Sequence, residues 1–247
     1  MTAPYVPAAT SPYPPSVDVS ELGPGVFTYW AKRWSKWRLF SGWFMIVISL
    51  VSIILSPLAI LFGVMLFRSP NFSRKARAKR IDLHQHGIAL HEEQGLVAAY
   101  RFDQISVAQR ITENYYNGFK TGTAYLLTVT GADGRSSKIT QFYDNIGHLA
   151  QALQQGVMDA QFGRAVATAQ AGYPVTFGPF TVTPQGLVCG QKHTVTWPLL
   201  DRVVVSSGTV RIMVHGRRTA LVAKPIHEIP NFALFLALVS NVRATQG

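Results

Sequence analysis

Side chains that could do chemistry are sparse in this sequence, and few stand at useful spacing. His84-Gln85-His86, with His91 shortly after, is the only histidine cluster. On a strand, residues i and i+2 share a face, so two imidazoles could meet one metal ion. The third ligand would have to be His91, Glu92 or Glu93 across a turn. Nothing fixes that spacing, so these residues read as polar strand positions. Cys189 is the single cysteine, which excludes an internal disulfide and a Cys-rich zinc site. It lies in a strand-like run and reads as a small packing residue. Asp103 and Asp201 occupy matching places in an internal repeat, which points to turn hydrogen bonding rather than acid–base work. No G-x-S-x-G, Walker A, G-x-G-x-x-G or H-E-x-x-H pattern occurs. The sequence thus predicts no catalytic residue, cofactor or metal site, and a protein that is not an enzyme.

Charge is the stronger signal. Lys and Arg number 23 against 12 Asp and Glu, a formal net charge of +11. Residues 29–80 hold ten basic residues and no acid, whereas 81–172 hold six basic and eight acidic residues and 173–247 seven basic and two acidic. A generally basic nucleic-acid binder would not concentrate its charge this way, and no nucleic-acid partner is expected. Arg74, Lys75, Arg77, Lys79 and Arg80 form one candidate set for contact with anionic headgroups. Lys192, Arg211, Arg217 and Arg218 form a second, looser candidate set for an anion or an acidic partner. His215-Gly216-Arg217-Arg218 reads as an exposed turn.

The first set directly follows Leu39 to Phe67, 29 residues without a charge. A run of 18 or more apolar residues is the usual mark of a membrane span. As one helix it would reach about 43 Å, beyond the ~30 Å of a hydrocarbon core. The excess calls for tilt, a kink at Ser56-Pro57, or a re-entrant hairpin. Basic residues on both sides fit a hairpin; for a single span they weakly favour the C-terminal side inside. Either way residues 81–247 are expected in the cytoplasm. Upstream, Phe27, Trp30, Trp34 and Trp37 recur at helical spacing with Lys32 and Lys36 opposite. That is the pattern of a helix at the headgroup layer, or of the aqueous end of a longer membrane helix.

These stretches imply an order of elements. Residues 1–26, with Pro4, Pro7, Pro12, Pro14, Pro15 and Pro24, read as a disordered tail. Residues 27–38 read as the interfacial helix, 39–67 as the membrane segment and 68–80 as a basic linker. From 81 to 172 strand-like runs end in a helix over about 144–170, with Asp144 or Asn145 as N-cap and Gly172 as stop. From 173 to 247 a second strand series ends in a helix opened by Pro230. The series overlay: Gln85-His86-Gly87-Ile88 on Pro184-Gln185-Gly186-Leu187, and Asp103-Gln104-Ile105 on Asp201-Arg202-Val203. Each predicts a curved antiparallel sheet capped by one helix.

That order of turn, glycine, aromatic, Asp-x-β-branched residue and terminal helix resembles bacterial pleckstrin-homology-like domains. The arrangement is similar to a family of actinobacterial membrane proteins with tandem modules of this kind. The clearest stretches are Phe177-Gly-Pro-Phe-Thr-Val-Thr-Pro-Gln-Gly-Leu187 and Ile226-His-Glu-Ile-Pro-Asn-Phe232. The resemblance implies a membrane-anchored, mainly β α+β protein: a hydrophobic helical segment followed by two PH-like modules. The expectation is an interaction platform at the cytoplasmic face of the cell membrane. Its partner would be a bilayer with anionic headgroups, contacted by Trp30, Trp34, Trp37 and the first basic set. The alternative is an accessory subunit of a larger membrane complex. Neither reading fixes the oligomeric state.

Overall fold

The computed structural model describes residues 17–51, 56–116, 119–190 and 192–246. The chain divides into two compact units, residues 1–99 with 142–145, and residues 100–141 with 146–247.

The first unit is built on an antiparallel sheet in the order β1-β2-β3-β4. Its strands are β1 (Gly25–Trp30), β2 (Arg80–His84), β3 (Gly87–Glu92) and β4 (Gly95–Arg101). β1 carries Val26, Phe27, Thr28, Tyr29 and Trp30, residue types that favour a pleated, half-buried surface. Tyr29 opposes Ile81 and Trp30 opposes Arg80. Tyr29 and Ile81 are both buried, and Thr28 Oγ1 donates to Asp82 Oδ1 at 2.7 Å across the pair. The interfacial helix expected over 27–38 therefore gives way to a strand over its first four residues. Pairing with β2 buries Tyr29, which a surface helix would leave wet. The end of the expected tail is structured as well. A 3-10 turn at Val19–Leu22, capped by Asp18, seats Leu22 against Ala89 and Ala99. The rest of the expected tail, residues 1–16, lies outside the described residues.

Between β1 and β2 the chain leaves the sheet as a pair of helices. α1 runs Lys36–Val51 and α2 runs Ser56–Arg68. The two fold back on each other, so a Cβ on Gly42 would lie 3.5 Å from Leu66 Cδ1. Ser49, Ala59 and Leu66 are buried along the seam. Pro57 stands in the first turn of α2, where a missing N–H costs nothing, rather than at a kink inside one long helix. A short α3 (Arg74–Ala78), capped by Ser73, leads back to β2.

This arrangement corrects the expected fold class. Among the described residues no helix is long and apolar enough to cross a membrane. The hydrophobic segment is an insertion into the first sheet, not an N-terminal helix followed by PH-like modules. The described residues form an α+β fold of four small antiparallel sheets and five α-helices. Placement in the cell membrane with the modules in the cytoplasm rested on a spanning or anchoring helix and loses that support.

The second unit begins with the sheet β5-β6-β7, formed by β5 (Ser106–Tyr116), β6 (Phe119–Thr130) and β7 (Ser136–Thr140). α4 (Ile146–Gln170) follows, close to the helix expected from its apolar period. Its Gly156 faces the Phe102 ring so closely that a Cβ would collide with it. A four-strand sheet comprises β8 (Val175–Phe177), β9 (Phe180–Thr183), β10 (Gly186–Cys189) and β11 (His193–Thr196). A three-strand sheet comprises β12 (Leu200–Ser206), β13 (Thr209–Val214) and β14 (Val222–Pro225). α5 (Phe232–Gln246) closes the chain. The core of this unit gathers Phe177, Phe180, Val182, Leu187, Trp197, Ile212, Phe235 and Leu238. Phe180 and Phe235 stack at 5.1 Å between ring centroids. Trp197 Nε1 donates to the Thr183 and Pro184 carbonyls, so its polar edge is satisfied inside the core.

In chain order both series follow one plan: four strands, three strands, then a helix. Asn145 and Asn231, at φ +52° and +51°, stand immediately before α4 and α5. Arg164 of α4 donates to the Asp103 carbonyl at 2.6 Å, and Arg243 of α5 donates to the Asp201 carbonyl at 2.7 Å. The recurring aspartates thus give the helices a main-chain acceptor, while their carboxylates pair with Arg101 and Arg202.

Candidate functional site

The two helices inserted in the first sheet form an apolar finger on a basic base. At about 100° per residue, Leu58, Ile60, Leu61, Val64, Met65 and Phe67 cover roughly half the circumference of α2. All six are exposed, Ile60 at 70%. On α1, Trp37, Phe40, Trp43, Phe44, Val47 and Ile48 are exposed, Trp37 at 81%. Phe40 meets Trp37 edge-on and stacks on Phe44, each at 6.2 Å, and Trp43 meets Phe67 at 6.4 Å. The finger therefore carries ordered aromatic contacts on an uncovered surface.

Its base is closed by polar contacts. Trp34 N–H donates to Asn71 Oδ1 at 2.7 Å, and Asn71 Nδ2 donates back to the Trp34 carbonyl at 3.2 Å. Arg77 then holds the returning chain, its Nη2 donating to Asn71 O at 2.6 Å and its Nε to Pro70 O at 3.4 Å. Lys32, Arg33, Lys36 and Arg38 flank the outgoing end. Arg68, Arg74, Lys75, Arg77, Lys79 and Arg80 flank the return, and no charge stands between 39 and 67. The first turn of α1 holds no acid, so cations crowd the positive end of its dipole. That costs helix stability rather than adding to it.

The predicted contact residues differ in availability. Trp37 is exposed on the finger. Trp34 is at the clasp with the Arg38 guanidinium over its ring at 5.4 Å. Trp30 ends β1, half exposed, with Arg80 over its ring at 5.6 Å. Arg74 and Lys75 are exposed and make no hydrogen bond or ion pair among the described residues. Lys79 is paired with Glu92 at 2.6 Å and Arg80 with Asp82 at 3.0 Å, so their charge is already matched. Arg77 is a latch as well as a cation. In the second unit Arg217 and Arg218 lie exposed in the turn after β13, Arg211 sits half-buried on β13, and Lys192 is exposed before β11. These four fall on separate connections and a strand, and no described contact joins them.

His84, His91 and Cys189 are engaged within the fold. His84 Nδ1 is 2.9 Å from Gly23 O, and His91 Nε2 is 3.2 Å from Asp82 Oδ2. Burial, with Arg80 beside it, holds the His91 pKa below its ordinary value despite Asp82. No group of three or more His, Cys, Asp or Glu that could hold a metal occurs among the described residues. Burial pushes the Cys189 thiol up to about 11, away from nucleophile chemistry.

Two participants escaped sequence reasoning. Asn71 clasps Trp34 across 37 residues, and no local pattern marks such a pair. Asp144 was legible only as a helix cap. Instead Asn145 directly precedes α4, and Asp144 lines a cleft with Trp30, Ala31, Arg33 and Arg77.

Fold and site together define a repeated sheet-and-helix protein with an apolar finger inserted between its first two strands. The chain belongs to the family of unknown function DUF6585, whose model matches residues 11–247. That description carries no actinobacterial, membrane or pleckstrin-homology-like assignment. No curated protein matches the chain.

Proposed function

We propose that the protein is a non-enzymatic interaction platform that docks on an anionic lipid surface through the finger and its basic base. The observation that carries the reading is the sorting of side chains along the finger. Apolar residues cover a wide arc of each helix, and every charge lies at the base. A flat protein partner would cover one side; an acyl-chain medium covers the whole exposed arc. Basic residues at the finger's foot then meet anionic headgroups, each contributing about 1 kcal/mol. The unfavourable cations at the α1 N-terminus are explained if the compensating anions are supplied from outside.

The lengths set the depth. α1 has 16 residues and α2 has 13. At 1.5 Å per residue they reach about 24 and 20 Å, against ~30 Å for the hydrocarbon core. Contact is therefore insertion from one side without crossing. The units outside the lipid are left to present their surfaces to partners.

The test is flotation of the full chain with anionic and with neutral vesicles. Co-flotation with anionic vesicles that falls as salt rises is the expected result. No flotation with either, together with a stoichiometric foreign subunit on purification, would move the assignment to an accessory subunit whose partner covers the finger.

A further inference from the structure

A cleft of about 500 Å³ opens at the base of the finger, lined by Trp30, Ala31, Arg33, Arg77 and Asp144. Its walls are tied together. Lys32 N–H donates to Phe142 O at 2.8 Å, Asp144 N–H donates to Trp30 O at 2.9 Å, and Ala31 bridges to Tyr143. Arg77 is aimed by its bonds to Pro70 O and Asn71 O, which leave its Nη1 donors uncommitted. Arg33 makes no hydrogen bond or ion pair among the described residues, and the Asp144 carboxylate makes none either. Two cations and one anion thus line the same cleft, and the anion pairs with neither.

Opposite charges that share a cleft without meeting are placed to receive a ligand that carries both signs. We infer that this cleft takes a zwitterionic phosphodiester of the phosphoethanolamine kind. The phosphate oxygens lie against Arg33 and Arg77, where guanidinium donors match them. The ammonium group donates to Asp144, and the methylenes pass Trp30. A doubly charged phosphate monoester is disfavoured because Asp144 repels it. A quaternary ammonium is disfavoured because it has no N–H for Asp144, and one side of Trp30 is already taken by Arg80 at 5.6 Å. The inference rests on the lipid-surface reading and adds to it one net-neutral headgroup recognised among the anionic ones, although the same chemistry occurs in free phosphodiesters.

The experiment titrates the full chain with soluble glycerophosphoethanolamine, glycerophosphocholine and glycerophosphate, followed by tryptophan fluorescence. Glycerophosphoethanolamine should bind tightest. Asp144→Asn should weaken it about tenfold while glycerophosphate binds unchanged or tighter. Arg33→Gln should weaken both. Arg77→Lys keeps the charge but gives up the paired bonds to Pro70 O and Asn71 O; it should weaken phosphate recognition, with circular dichroism checking that the fold is retained. Tighter binding of all three compounds to Asp144→Asn would overturn the zwitterion assignment in favour of a plain anion cleft. Absence of binding to all three would overturn the cleft altogether. Vesicle flotation of the same protein separates the two readings. Flotation without soluble binding removes the cleft and leaves the platform. Soluble binding without flotation keeps the cleft, assigns it a free phosphodiester and removes the lipid-surface reading.

Discussion

Two aromatic stacks in this molecule make opposite use of the same chemistry. Phe180 and Phe235 stack at 5.1 Å with no exposed surface, inside the second unit. Phe40 and Phe44 stack at 6.2 Å on the finger and remain more than half exposed. Burying a side chain of this size stabilises by about 1.5–3 kcal/mol, and the chain supplies that burial in one place and withholds it in the other. The chain itself leaves the finger's aromatic side chains exposed, and the lipid-docking proposal accounts for that difference. Charge repeats the lesson. Around the first sheet Lys79 and Arg80 have carboxylate partners, whereas Arg74 and Lys75 at the foot of the finger have none among the described residues.

The comparison breaks most visibly in the core. Phe235→Ala should cost about 3–5 kcal/mol of stability in chemical denaturation, because it leaves a cavity beside Phe180 and Phe177. Phe44→Ala should change stability by no more than about 0.5 kcal/mol, since little packing is lost. Its effect should appear in vesicle flotation instead, as a loss of about tenfold. A large destabilisation by Phe44→Ala would show that the finger is buried within the chain's own fold.

Charge effects come next. Arg74→Gln and Lys75→Gln should each weaken binding to anionic vesicles about fivefold, as ~1 kcal/mol per headgroup contact requires. Lys79→Gln should weaken it less than about twofold, because Glu92 already holds that ammonium at 2.6 Å. Equal effects at all three positions would mean that the ion pair opens on binding.

The titration of His91 gives a smaller effect. Its pKa is held below 6.5 in the fold by burial and by Arg80. The unfolded chain therefore binds the proton more readily. The stability contributed by neutral His91 is complete above about pH 6.5 and is lost as pH falls through the lowered folded value. Thermal unfolding of the full chain should show a step in that window that His91→Gln removes. Smallest of all, Ser49 Oγ is buried in the finger's seam with no hydrogen-bond partner among the described residues. Ser49→Ala should be neutral or stabilising by up to about 1 kcal/mol, read as a raised melting temperature.

The sequence is legible where structure is local and opaque where it is not. The uncharged run, its basic flanks and the α4 helix are visible in composition and period. The strand at Gly25–Trp30 is not, because Phe27, Trp30, Trp34 and Trp37 satisfy a helical period while the partner strand begins only at Arg80. That non-local pairing also hides the place of the apolar run as an insertion. The proline at position 57 marks a break, but no motif announces that the two helices fold back on each other with Gly42 facing Leu66. The repeat makes Asp103 and Asp201 conspicuous, yet it does not reveal that their carbonyls are the groups engaged by Arg164 and Arg243. Unpaired Arg33 and Asp144 come together only through the main-chain bonds between residues 30–32 and 142–144.

The central claim is that acyl chains cover the finger, and depth-dependent fluorescence quenching tests it most directly. Trp43 stands on the finger, nearly half exposed. Its signal is the difference between the wild-type chain and Trp43→Phe on anionic vesicles that carry brominated acyl chains. The account predicts a blue shift and quenching that is strongest for bromines within the near leaflet and fades toward the far one. An unshifted Trp43 that bromolipid leaves unquenched, on vesicles that nevertheless carry the protein, would contradict it.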